Sequence, residues 1–297
     1  MYRFAFLAPL MVSAACFTAL AAAPAAAASI SSPPAPWRTL PPLPSLPSGT
    51  VGRHAEIGGA RIWFAEWGPK SAGVPVLLLH GGFGNSNYFG RLIPALAAHG
   101  YRVIAMDSRG HGRSTRSDAP LTYDLMAQDV QGLLDQLGIS KVYIVGWSDG
   151  GILGLDLALR HKDRVGKVFA FAANTVPSGV VAGVEKNPTF AAYIERAGHE
   201  YADHSATPKE YDAFVDQISK MWFGEPNWTD AELEAIDTPV LVVDGDHDEA
   251  IKRAHTEYIA ATIPHASLLI LPNVSHFAFL QDPDQFNFAI LHFLGDE

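Results

Sequence analysis

Gly146-Trp147-Ser148-Asp149-Gly150-Gly151 is the stretch on which the reading of this chain turns. It follows a short apolar run, Lys141 to Val145, and precedes a stretch of helical period from Gly151 to His161. A serine at the tip of a tight strand-to-helix turn is forced into a strained backbone region. Its neighbours two residues away must then be glycine to avoid collision. The same turn sets Ser148 at a helix N-terminus, where a developing negative charge is favoured. As a bare pattern Gly-X-Ser-X-Gly is common. With a buried strand before it and a helix after it, the pattern marks Ser148 as a candidate nucleophile.

Outward from this turn the chain alternates between two periodicities. Val74 to Leu79, Tyr101 to Met106, Val165 to Ala172, Pro239 to Val243 and Ser267 to Leu271 are continuous apolar runs of the kind expected for strands buried on both faces. Arg53 to Ile57 and Ala60 to Glu66 read as two further strands joined by Gly58-Gly59, a hairpin signal. Between the runs lie amphipathic stretches: Tyr88 to His99, Tyr123 to Leu137, Ala254 to Ile263 and Asp284 to Leu294. The expected fold is therefore α/β, a mostly parallel eight-stranded sheet flanked by helices. Ligands of such sheets bind at the carboxyl ends of strands. One interval, 176–236, lacks strand runs and gathers aromatic residues such as Tyr193, Phe214 and Trp222, and reads as a helical cap insertion whose aromatics mostly fill its own core while a few facing the active site wall an acyl or alcohol pocket.

A serine hydroxyl is a weak nucleophile and needs a base, which needs an orienting acid. Two later strand ends supply candidates in the order acid, then histidine. Leu241-Val242-Val243-Asp244-Gly245-Asp246-His247-Asp248 ends a strand in an acidic turn, and Leu271-Pro272-Asn273-Val274-Ser275-His276 ends another. Of twelve histidines, His276 is preferred for its place after the last strand, since His247 lies too close to the acid. Asp248, three residues after Gly245, is favoured as the acid, with Asp246 the alternative. The oxyanion formed on attack needs two backbone donors. The amide of Asp149 is one. The second is expected from His80-Gly81-Gly82-Phe83-Gly84, with Gly82 the first choice and Phe83 the fallback. Phe83, Trp147 and Asp149 are the candidate substrate-binding residues. His80 and the turn Asp107-Ser108-Arg109-Gly110-His111-Gly112-Arg113-Ser114 read as structural. No metal and no cofactor is expected.

With these residues assembled, the chain from about Gly49 onward resembles the capped α/β-hydrolases. The resemblance rests on the His80-Gly81-Gly82 loop, the Arg109 to Ser114 turn, the Ser148 turn and the Asp248 and His276 loops. It implies a serine hydrolase acting on a small-molecule ester, with Ser148, Asp248 and His276 as its triad. The Asp149-Gly150-Gly151 continuation is most similar to the valacyclovir hydrolase (biphenyl hydrolase-like) group, which cleaves α-amino-acid esters. That likeness implies Asp149 as a reader of a substrate ammonium. Serine at the turn disfavours dehalogenase and epoxide-hydrolase chemistry, which uses aspartate there. Lactonase action would share the same machinery.

Composition agrees with an ordinary globular protein: 297 residues, 48% hydrophobic and 18% charged. A net charge of −10 argues against nucleic acid or anionic lipid as a partner. Oligomeric state is not legible. Residues 1–28, with Arg3, an apolar tract and a run of alanines, read as a signal peptide, an uncleaved membrane anchor and a lipoprotein signal at Cys16 being the alternatives. Removal of that segment leaves a chain without cysteine, exported to the periplasm or beyond, with no stable membrane association expected. Residues 29–48 hold seven prolines between Pro33 and Pro47 and read as an extended spacer, with the hydrolase domain spanning 49–297.

Overall fold

A two-residue connection opens the architecture. Gly58 and Gly59 both take positive φ (52° and 76°), so β1 (Arg53–Ile57) folds back on β2 (Ala60–Trp67) with Ile57 opposite Ala60. The computed structural model describes residues 34–71 and 73–295, and the expected signal peptide lies outside the described residues. The remaining strands are β3 (Val76–Leu79), β4 (Val103–Met106), β5 (Val142–Trp147), β6 (Val165–Phe171), β7 (Val240–Gly245) and β8 (Ala266–Leu271). They form one eight-stranded sheet in the order β1-β2-β4-β3-β5-β6-β7-β8. β2 is antiparallel to both its neighbours, and every pairing from β4 onward is parallel.

The helices are α1 (Leu92–Ala98), α2 (Tyr123–Gln136), α3 (Asp149–Arg160), α4 (Pro188–His204), α5 (Tyr211–Gly224), α6 (Asp230–Glu234), α7 (Arg253–Thr262), α8 (Ala278–Gln281) and α9 (Pro283–Gly295). Alternating strand residues feed two cores, one on each face of the sheet. Leu77, Leu79, Ile144 and Val242 pack with α2, α3 and α7; Val76, Leu78, Val145 and Val243 pack with α1, α8 and α9. That two-sided burial is why the central strands read as unbroken apolar runs. β8 departs from the expectation: as an edge strand with one partner, it leaves Leu268 44% exposed. α4, α5 and α6 fill the interval between β6 and β7.

The proline-rich segment does not stand off the domain as a spacer. Leu40, Leu43 and Leu46 pack against the core that holds α1, α8 and α9. In an extended chain with three residues per turn, leucines three apart fall on one side. Prolines donate no backbone hydrogen bonds but leave carbonyls free to accept. The guanidinium of Arg196 takes the carbonyls of Leu40 and Pro41 at 2.9 and 2.8 Å.

Candidate active site

Ser148 sits between β5 and α3 with φ 53° and ψ −117°, a conformation that side chains rarely adopt. The turn is held by its flanks. A Cβ on Gly146 would overlap the carbonyl of Gly150, and one on Gly150 would overlap the carbonyl of Leu79 in β3. The amide of Ser148 donates to Phe171 at the end of β6 (2.8 Å). Strain at one residue is thus fixed from two neighbouring strands, β3 and β6, and the hydroxyl is carried at the start of α3.

The candidate acid and the candidate base are brought together directly. Asp248 Oδ2 lies 2.9 Å from His276 Nδ1, and both side chains are almost fully buried. The other carboxylate oxygen accepts the amides of Ala250 and Ile251 at 2.6 and 2.7 Å. Asp246 is not joined to His276; one of its oxygens accepts the Val274 amide at 3.3 Å and the other lies 3.9 Å from His247. With Nδ1 given to Asp248, Nε2 is the nitrogen left to face the nucleophile. Burial lowers the affinity of His276 for a second proton, against the opposing charges of Glu249, Asp244 and Asp149. Burial therefore favours the neutral imidazole, the form a base requires. Burial and the nearby Glu249 push the Asp248 carboxyl upward, while the two amides oppose that shift. Asp244, at the end of β7, is pushed well above the carboxylate range by burial and by Asp248. Its role beside the acid was not readable from sequence, because it looks like one more residue of the strand.

No hydrogen bond joins the Ser148 hydroxyl to His276 among the described residues. The imidazole lies 5.8 Å, centroid to centroid, from the indole of Trp147, next to Ser148 in the chain. Contacts of this kind tighten when a substrate is seated.

The loop after β3 abuts the nucleophile: a Cβ on Gly81 would meet the Ser148 Cβ at 3.1 Å. His80 Nε2 accepts the amide of Ser108 (2.9 Å), which leaves Nδ1–H to donate to the Gly81 carbonyl (2.8 Å). The amide of Gly84 donates to the same carbonyl (3.0 Å). A peptide unit is planar, so fixing the Gly81 carbonyl on one side aims the Gly82 N–H to the other. Likewise the Tyr193 hydroxyl of α4 holds the Gly82 carbonyl at 2.5 Å and thereby orients the Phe83 N–H. Both candidate donors, Gly82 and Phe83, are thus held in place, Phe83 at φ 63°. The third, the Asp149 amide, is the first of α3 and has no partner within the helix.

The cap meets this loop at Asp149. Its carboxylate, 4% exposed, accepts the Tyr123 hydroxyl (2.9 Å) and the Trp222 indole N–H (3.0 Å to either oxygen). Burial pushes this carboxyl up to about 6, against those two donors. Trp222 on α5 covers Gly82, where a Cβ would strike the indole ring, and stands edge-on to Phe83 at 4.9 Å. Phe83 also borders Tyr211 and Phe214. Tyr123 is not legible in the sequence, since an aromatic on an amphipathic helix looks like core, whereas Trp222 is one of the few cap aromatics that face the loop. Trp147, expected to line the substrate pocket, is corrected: it is 1% exposed and enclosed by Tyr88, Tyr193, Phe277 and Phe279. Its ring packs in the core that holds α1, α8 and α9.

The turn after β4 is a brace. Asp107 accepts the Ser86 hydroxyl and amide and the Arg113 amide and guanidinium. Arg109 forms a buried ion pair with Asp129 on α2. Among the described residues, no group of three or more His, Cys, Asp or Glu is arranged to hold a metal ion.

A sequence model described as the alpha/beta hydrolase fold matches residues 74–210. RutD of Caulobacter sp. strain K31, named as a carbamate hydrolase, is 30% identical over 278 residues, covering 85% of this chain and 99% of its own. The 2-hydroxy-6-oxo-6-(2'-aminophenyl)hexa-2,4-dienoic acid hydrolase of Metapseudomonas resinovorans is 27% identical, covering 84% of this chain and 92% of its own. Among solved structures, a meta-cleavage product hydrolase from Pseudomonas fluorescens IP01 superposes with a TM-score of 0.72 at 23% identity, covering 83% and 98% of the two chains.

Proposed function

Since this chain belongs to the α/β-hydrolase family, we propose that it is a serine hydrolase that cleaves carboxylic esters through an acyl-enzyme. Ser148 Oγ attacks the ester carbonyl as His276 Nε2 takes its proton, and Asp248 keeps the imidazole oriented. The oxyanion is received by the Asp149 amide and by Gly82, with Phe83 beside it. Collapse expels the alcohol, which takes the proton back from His276. Water then adds to the acyl-enzyme by the same route and releases the acid. The observation that carries this reading is the buried 2.9 Å hydrogen bond between Asp248 and His276, on loops from the same end of the sheet as the strained Ser148.

The RutD relative is named for carbamates, and a carbamate would pass through the same steps as a carbamoyl-enzyme. A role for Asp149 in reading a substrate ammonium, as in amino-acid esters, would require the ammonium to displace Tyr123 or Trp222 from the carboxylate. The geometry therefore favours neutral esters. The alanine-rich leader supports export from the cytoplasm. The test is a panel of p-nitrophenyl esters, an aryl carbamate, a lactone and an amino-acid ester with the purified protein. The esters are expected to be turned over best, and Ser148→Ala to lose about 1,000-fold or more in kcat. Hydrolysis by Ser148→Ala at the parent rate overturns the reading.

A further inference from the structure

The proline-rich segment touches the residue immediately ahead of Asp248 and, through Gln281, is linked to the residue immediately ahead of His276. Trp37 stacks flat on His247, ring centroids 3.9 Å apart and planes 8° apart, one residue before Asp248. The carbonyl of Thr39 accepts the Gln281 amide at 2.9 Å. That same amide donates to the Ser275 hydroxyl (2.9 Å), and the Gln281 carbonyl oxygen accepts the Ser275 N–H (2.7 Å), one residue before His276. The next two carbonyls of the segment, Leu40 and Pro41, are held by Arg196 on cap helix α4. Farther along, Ser45 lies so close to Gly90 that a Cβ there would overlap its carbonyl.

We propose that residues 34–48 form a positioning strap, in which Trp37 and Thr39 fix the loops carrying Asp248 and His276 and Arg196 couples those loops to the cap. The inference rests on the assignment of Asp248 and His276 as the acid–base pair. Both loops follow strands and lack regular secondary structure at their tips. Placement errors of about 1 Å in such groups can cost 100-fold in rate. A strap that stacks on the residue before Asp248 and reaches the residue before His276 through Gln281 removes that freedom. Trp37 and Gln281 touch no reacting atom and act through His247 and Ser275.

The test uses the full chain with Trp37→Ala, Trp37→Phe and Gln281→Ala, read by ester kinetics and by NMR titration of the His276 imidazole. Trp37→Ala and Gln281→Ala are each expected to lower kcat about tenfold with KM within twofold. As the loop hydrates, the His276 midpoint is expected to rise toward the ordinary imidazole value, in the presence of Asp248, Glu249, Asp244 and Asp149. Trp37→Phe, which keeps a stacking ring, is expected to restore both. Parent-like kcat and an unchanged His276 midpoint in both alanine variants, even with a lowered Tm, overturn the proposal. A parent protein that turns over no ester sinks the ester reading alone, because the imidazole titration still decides the strap.

Discussion

Two residues show how burial, more than local sequence, sets the chemistry. Burial lowers the affinity of His276 for a second proton, and Asp248, which shares that burial, orients the ring. Glu200 on α4 is the counterpart on the cap side. Its carboxylate accepts Asn85 Nδ2 at 2.8 Å and the Tyr88 hydroxyl at 3.0 Å, and burial pushes it up to about 7. Between the ordinary 4.5 and about 7 the folded chain holds a proton that the unfolded chain has released, so stability falls as pH rises through that window. Glu200→Gln can keep one acceptor for Asn85 and present an amide to the Tyr88 oxygen, and it removes the titration. Its stability relative to the parent is therefore expected to improve by on the order of 2 kcal/mol from pH 5 to pH 8. Calorimetric melts at both values check this. An equal difference at the two pH values contradicts it.

The decisive element is the turn from β5 into α3, and its glycines are dictated by neighbours. Gly150 lies against the backbone of β3, which cannot shift without disturbing two parallel pairings. Gly150→Ala is expected to destabilise the protein by about 3 kcal/mol or more in urea unfolding. A loss under 1 kcal/mol would mean that the turn tolerates a Cβ there. This element is legible in the sequence because strand, turn and helix each carry their own periodicity. The same holds for Gly58-Gly59, for the meeting of Asp248 with His276, and for the His80-Gly81-Gly82 loop beside Ser148. Spacing alone only favours Asp248 over Asp246, and the distances separate them. Trp147 was misread because adjacency to the nucleophile in sequence says nothing about which side of the pleat a ring takes.

At the scale of the whole molecule, what could not be read was how separate segments meet. The Tyr193 hydroxyl on the Gly82 carbonyl, the Trp222 indole on Asp149 and the Glu200 carboxylate on Asn85 all join the cap to the loops below it. Each pairs residues far apart in the chain, and no periodicity encodes such a pairing. The proline-rich segment is a middle case. Its seven prolines announce an extended chain, while the three-residue spacing of Leu40, Leu43 and Leu46 holds the packing face that a reading for spacers passes over. The most direct measurement is reaction of the purified, folded protein with a fluorophosphonate probe, followed by peptide mapping. Stoichiometric labelling on Ser148 is expected, lost in Ser148→Ala and strongly slowed in His276→Ala. A folded protein that stays unlabelled, or carries its label on another residue, contradicts it.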